Sequence, residues 1–151
     1  MAGSPRAHGE ASRDPRHDPG KGAGFVKWFQ LDSDMPDDPK IRAVARALGV
    51  EGIGGLVGVW CHVAKHGRRP GQGVDSRGAP LPIDDVIAAS LLPVSKFETL
   101  IDVCTRTGHF RRDAWERYHG IWIPAMERRA DRYAQRLVRS QQLEIDWQGE
   151  R

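Results

Sequence analysis

The sequence predicts an α+β, mostly α-helical domain with the element order of a winged helix-turn-helix. Three observations predict it: a short aromatic strand at 25–31, two helices joined by a tight turn at 92–94, and a candidate β-hairpin directly after the second helix. A chain of 151 residues suits one domain with extensions. We therefore expect a disordered tail at 1–24, a winged-helix domain at 25–141 and a C-terminal tail at 142–151.

End signals mark the first helical unit. Asp38 is placed to cap a helix, and Pro39 fits its first turn, where no amide hydrogen bond is lost. Apolar residues follow at helical spacing until Gly49, a natural C-terminal stop. A second helix is predicted at 51–66, with glycines that allow another element to approach closely. A Gly-, Pro- and Arg-rich exposed loop follows at 67–80.

The second half of the chain supplies the helix-turn-helix, the β-hairpin wing and a last helix. Its predicted elements are helices at 84–91 and 95–107, strands at 109–112 and 120–123 joined by a loop at 113–119, and a C-terminal helix at 124–141. Two helices, a tight turn and a hairpin in this order are what predict the winged-helix fold.

Composition limits the classes of partner and compartment. A net charge of +3 favours an anionic partner only weakly, because 20 acidic residues offset 23 basic ones. The two cysteines, Cys61 and Cys104, make no disulfide framework, so we expect a reducing, cytoplasmic setting. The sequence has no run of about 18 apolar residues and no apolar signal segment, so no membrane association is expected.

Four segments carry a further resemblance. They are Trp28-Phe29-Gln30-Leu31-Asp32-Ser33-Asp34, Asp37-Asp38-Pro39-Lys40-Ile41-Arg42, Gly49-Val50-Glu51-Gly52-Ile53-Gly54 and Thr107-Gly108-His109-Phe110. In this order they resemble the N-terminal winged-helix domain of phage replisome-organiser and DnaD-like replication initiation proteins, over about 28–141. The resemblance implies DNA binding and self-association in starting the replication of phage or plasmid DNA.

The strongest local signal is the arginine content of the last predicted helix. Its arginines are Arg128, Arg129, Arg132, Arg136 and Arg139. At 100° per residue they fall within an arc of about 100°, with apolar side chains opposite. Guanidiniums gathered on one exposed face suit the phosphates of DNA. The alternative is an ordinary solvated face.

Further candidate DNA contacts lie on the predicted recognition helix and the wing. They are Lys96, Thr99 and Arg106 on that helix, and Arg111, Arg112 and Arg117 on the hairpin. Acidic neighbours offset the charge of the recognition helix, so contact with another protein is an equal alternative to base reading there. Either the wing arginines reach DNA, or Trp115 packs on the body and the arginines only solubilise the hairpin.

No pattern indicates a metal or catalytic site. Cys61, His62 and His66 lack a second ligand pair, and no motif for a nucleophile or a phosphate-binding loop is found. We therefore expect a protein that binds duplex DNA, is not an enzyme and needs no cofactor. A homo-oligomer and contacts with replication proteins are further expectations. A protein-interaction module and a transcriptional regulator of the same fold are the alternatives.

Overall fold

Helices dominate the chain. In a computed structural model, the described residues are Leu31 and 33–149, with side chains described up to residue 136 and at Arg139. The elements are a 3-10 turn (Met35–Asp37) and the helices α1 (Pro39–His66), α2 (Ile83–Ser90), α3 (Val94–Arg106), α4 (Arg112–Tyr118) and α5 (Pro124–Gly149). The described residues contain isolated antiparallel bridges and no β-strand.

The helix α1 bends sharply at Gly49. The Asp38 side chain caps its start by accepting a hydrogen bond of 2.8 Å from the Lys40 amide, as the sequence predicts. Gly49 adopts a φ of 68°, which glycine reaches without the steric cost that a Cβ brings. The chain then turns so tightly that a Cβ on Gly52 would lie 2.4 Å from the Leu48 Cβ. The predicted helix stop at Gly49 is therefore confirmed as a break within α1.

The hydrophobic core lies between α1, α2 and α3. Its fully buried side chains include Leu56, Val59, Val63, Val86, Phe97, Leu100 and Cys104. Gly58 allows α2 to come close to α1, since a Cβ there would lie 2.1 Å from the Ala89 carbonyl oxygen. Burial raises the pKa of the Cys104 thiol to about 12, so this cysteine is a neutral core residue.

The predicted β-hairpin is absent from the described residues, and the winged-helix assignment is therefore wrong. A helix, α4, occupies the predicted loop at 113–119. The predicted strands at 109–112 and 120–123 share a backbone hydrogen bond from Arg111 N–H to the Trp122 carbonyl, but they form no ladder. The described part of the chain is all-helical instead of α+β.

Local interactions explain why α4 is a helix. Asp113 lies in the first turn, where an acid suits the helix dipole. Arg112 and Glu116 are four residues apart, with 4.0 Å between Nε and Oε1. His119 ends the helix with a φ of 49°, and its amide donates to the Trp115 carbonyl at 2.9 Å. Seven residues with such end signals favour a helical turn over a hairpin loop.

The second strand of the predicted hairpin pairs with a segment that the sequence predicts to be an exposed loop. The Gly73 amide donates to the Ile121 carbonyl, and the Ile123 amide to the Gly71 carbonyl, both at 2.7 Å. Gly71, Gln72 and Gly73 are accordingly buried. The prediction of an exposed loop at 67–80 is therefore wrong at its centre, which is buried and packs against the first turn of α5.

Two predictions concern the ends of the domain. The predicted strand at 25–31 lies outside the described residues except for Leu31, which belongs to no strand. The last helix begins at the predicted proline and continues to Gly149, past the predicted end near Gln141.

One helix among the described residues, α1, is long and apolar enough to cross a membrane. Its buried residues belong to the core against α2 and α3, and core helices of globular domains share this composition.

Candidate nucleic-acid interface

A polar clasp fixes the first turn of α5 to the body of the domain. The Glu127 carboxylate accepts a hydrogen bond of 3.1 Å from Gln72 Nε2 and one of 2.7 Å from Trp122 Nε1. Gly71 lies directly against this turn, where a Cβ would be 2.8 Å from the Glu127 amide nitrogen. Glu127 is thus engaged by two neutral donors, and its charge is held away from the arginines that follow.

Beyond its first turn, α5 projects from the other described helices, none of which packs against it. Four of its predicted DNA contacts, Arg128, Arg132, Arg136 and Arg139, are exposed. Among the described residues, none of the four forms an ion pair. We call these four residues the arginine face. Within the described part of the chain, no carboxylate neutralises their positive charges.

Arg129 differs from the arginine face. It is half-buried and engaged in an interaction of its own. It also lies close enough to His109 to lower the pKa of that imidazole electrostatically. Arg129 therefore belongs to the junction between α5 and the body, although its helical position matches the predicted basic arc.

The predicted apolar stripe of α5 is only partly covered by the described residues. Met126 is buried in the core, but Tyr133 and Ala134 are exposed. Leu137 lies among the residues whose side chains are not described. The stripe therefore anchors the helix at its start.

The predicted contacts on α3 are occupied within the protein. Lys96 pairs with Glu51 of α1, and Arg106 lies 3.5 Å from the Asp102 carboxylate. The Thr99 hydroxyl donates to the Ser95 carbonyl of its own helix at 3.1 Å. The outer face of α3 is therefore close to neutral, and its polar groups have partners.

The predicted wing contacts lie at and on α4. Arg111 binds Asp113 through two hydrogen bonds, and its guanidinium lies 5.3 Å above the Trp122 ring. The hydrogen bond from Arg111 is the main reason that the pKa of Asp113 is lowered. Arg112 faces Glu116, as described above, and Arg117 is exposed. Trp115 is half-buried against the core, as the alternative interpretation of the wing predicts.

A buried histidine, His109, lies against Trp60 of α1. His109 is 7% exposed, and its Nε2 accepts a hydrogen bond of 3.0 Å from Trp60 Nε1. Burial, followed by the nearby Lys40, lowers the pKa of His109 to about 4. The ring is therefore neutral near pH 7, with its proton on Nδ1.

Cys61, His62 and His66, considered above as metal ligands, lie on α1. The His62 and His66 rings lie 4.6 Å apart, and burial, followed by the charge of His66, lowers the pKa of His62. Cys61 is exposed and free. Within residues 33–149, no group of three or more His, Cys, Asp or Glu side chains is placed to hold a metal ion.

Sequence reasoning missed the clasp and the buried imidazole. Gln72 and Glu127 are 55 residues apart, and Trp60 and His109 are 49 apart. Neither pair has a spacing that a local pattern can reveal. The single available signal for the clasp is a glycine on each side of Gln72, which lets the backbone approach residues 121–123.

Comparisons with models of known protein families, with curated proteins and with solved structures gave no match to this chain. The resemblance to replication initiation proteins, and the role in replication that it implies, therefore stay predictions.

Proposed function

We propose that this chain binds duplex DNA through the arginine face of α5. The observation that supports this is the set of four exposed guanidiniums on one side of a projecting helix, with no acidic partner among the described residues. Like charges held this close repel one another, and an anionic ligand relieves that repulsion. Phosphates match the planar fork of the guanidinium.

The contrast with α3 and α4 strengthens the proposal. Lys96, Arg106, Arg111 and Arg112 each face a carboxylate, so a phosphate would have to compete with an existing partner. Exposed pairs of this kind are weak, yet they remove the local excess of positive charge. Among α3, α4 and α5, the exposed arginines without an ion pair to a described residue are Arg117 and the four of the arginine face, so within these helices the unpaired charge is greatest on α5.

The salt dependence of binding tests the arginine face. Replacing Arg128, Arg132, Arg136 and Arg139 together by Gln should reduce the slope of log affinity against log salt by about 3 to 4, since each phosphate contact contributes about 0.9. Gln has nearly the helix propensity of Arg, so α5 is expected to persist. The measurement is a fluorescence-anisotropy titration of a duplex at several salt concentrations.

A second quadruple variant removes the same net charge from paired positions. It replaces Lys96, Arg106, Arg111 and Arg112 by Gln. This control should change the slope by less than about 1, since these residues make few phosphate contacts in our proposal. Equal effects of the two variants would assign the binding to net charge and contradict the proposed surface.

Self-association is the second candidate function, and one surface favours it. Leu91 is 90% exposed, Val50 is 88% exposed and Val94 is 56% exposed. The ion pair between Lys96 and Glu51 brings the start of α3 next to Val50, so the three apolar side chains belong to one end of the domain. Leu91 also holds a φ of 57°, which is costly for a residue with a Cβ.

Leu91→Asn is expected to weaken self-association without unfolding the domain. Asn tolerates the left-handed conformation better than Leu, and it removes the most exposed apolar side chain of this surface. Sedimentation equilibrium of the wild type and the variant measures the effect. A wild type that stays monomeric at high concentration would exclude this candidate.

A further inference from the structure

The two edges of the arginine face differ in chemistry. At 100° per residue, Asp131 lies about 60° beyond one edge of the face, and Tyr133 lies about 60° beyond the other. Asp131 is exposed and forms no ion pair among the described residues. The helix therefore carries positive charge on one side and a negative charge directly beside it.

This asymmetry argues against insertion of α5 into the major groove. The groove is about 12 Å wide, and an α-helix with its side chains is about 10–12 Å across. An inserted helix thus presents both of its flanks to phosphates, one flank to each strand. With the arginine face toward the bases, Asp131 would meet the phosphates of one strand and repel them.

The length of the arginine face fits a single strand of a duplex. From Arg128 to Arg139 the helix rises by about 16 Å, at about 1.5 Å per residue. One strand of B-DNA carries a phosphate for about every 3.4 Å along the axis, so the face spans about five phosphates. Four guanidiniums can follow this row from outside the groove, where Asp131 lies to the side of the row and not against the second strand.

The outward polar groups of α3 are already engaged within the protein, so α3 does not supply base contacts in addition to the phosphate contacts of α5. Its basic residues are paired, and the Thr99 hydroxyl is held by its own backbone. Phosphate contacts without base contacts carry no sequence information.

We propose that α5 lies along the phosphates of one strand of duplex DNA, outside the major groove, and binds without regard to base sequence. This inference rests on the proposed function and specifies how the arginine face meets its partner. The partner is the backbone of a duplex, recognised by its row of phosphates.

Chemical interference on a mixed-sequence duplex tests the placement. The wild-type protein is mixed with duplexes that are ethylated on phosphates or methylated on guanine N7, and bound and free fractions are separated. Ethylation should interfere at a short run of phosphates on one strand, while methylation in the major groove should have no effect. Interference by N7 methylation would overturn the inference while leaving DNA binding intact.

Competition among three nucleic acids completes the test. A duplex of A·T pairs and one of G·C pairs should compete equally, within about threefold, because a phosphate row is common to both. A single strand of the same length should compete at least about tenfold less well, because its phosphates are not held in a fixed row. A preference between the duplexes, or equal binding of the single strand, would overturn the inference. Failure to bind any duplex would overturn the proposed function itself.

Asp131→Asn gives a matched variant for the placement. Loss of a charge beside the arginine face should raise duplex affinity about two- to threefold, equally for both duplexes. An increase restricted to one duplex would place the Asp131 side chain within the groove and contradict the external position.

Discussion

Lowering the pH from 6.5 to 4 is expected to reduce the free energy of unfolding by about 3 kcal/mol through His109 alone. In the folded protein this imidazole has a pKa of about 4, whereas in the unfolded chain it takes up a proton near pH 6.5. Between pH 4 and 6.5, His109 is protonated in the unfolded state and neutral in the folded state. Stability is therefore full above pH 6.5 and is lost as the pH falls through this window.

The geometry explains the cost of a proton on His109. Its Nε2 accepts from Trp60 Nε1, so a proton there would set two donors against each other. Lys40 and Arg129 add positive charge nearby, and Asp38 offsets only part of it. Protonation thus breaks a buried hydrogen bond and places a charge in the core.

His109→Gln isolates this contribution in urea unfolding at pH 7, 6, 5 and 4.5. The Gln amide oxygen can accept from Trp60, but it does not titrate. The variant should lose about 1 kcal/mol less per pH unit than the wild type below pH 6.5. His119→Gln, at an exposed position, is the control and should follow the wild type. Parallel profiles of His109→Gln and wild type would refute the assignment.

Gly58→Ala is expected to destabilise the domain by about 2–3 kcal/mol. The new Cβ would lie 2.1 Å from the Ala89 carbonyl oxygen and 3.2 Å from the Ser90 Cα. Both atoms are backbone, so no side chain can rotate away, and α1 and α2 must separate. The higher helix propensity of Ala, about 1 kcal/mol, offsets only a part of this cost.

Gly54→Ala makes the same chemical change one turn away and should have the opposite sign. A Cβ on Gly54 meets nothing within 4 Å among the described residues, and the position is exposed. Ala should therefore stabilise α1 by about 0.5–1 kcal/mol. Equilibrium unfolding of both variants in urea gives the comparison. Similar changes in the two variants would show that α1 and α2 do not meet closely at Gly58.

The sequence predicts elements whose signals are local. Asp38, Pro39 and Gly49 act within a few residues of their own position, and each does what its chemistry indicates. The tight turn before α3 is also present. Ser95 and Glu98 have the spacing of a capping box, but α3 begins at Val94 with no side-chain cap. Leu92 of this turn packs against Gly55 of α1, a long-range contact that the local spacing does not reveal.

The predicted β-hairpin is wrong because the sequence does not show which segments pair with each other. Residues 121–123 do pair in an antiparallel manner, but with 71–73, about 50 residues earlier in the chain. Alternation of apolar residues shows that a segment is extended, and it does not say which segment lies beside it. The arginine face itself could be predicted, because helical periodicity alone places its residues together. That Arg129 and Glu127 belong to the junction depends on long-range contacts.

The clasp on Glu127 makes α5 a lever with its joint at one end. From this joint to Arg139 the helix extends about 18 Å, so a tilt of about 10° moves the far guanidinium by about 3 Å. That distance is comparable to a hydrogen-bond length, so in the proposed complex a small adjustment at Gln72 or Trp122 would change which phosphates the arginines reach. The direction of the arginine face therefore depends on contacts at the first turn of α5, the two hydrogen bonds of Glu127 and the buried Met126, which lie outside the arginine face itself.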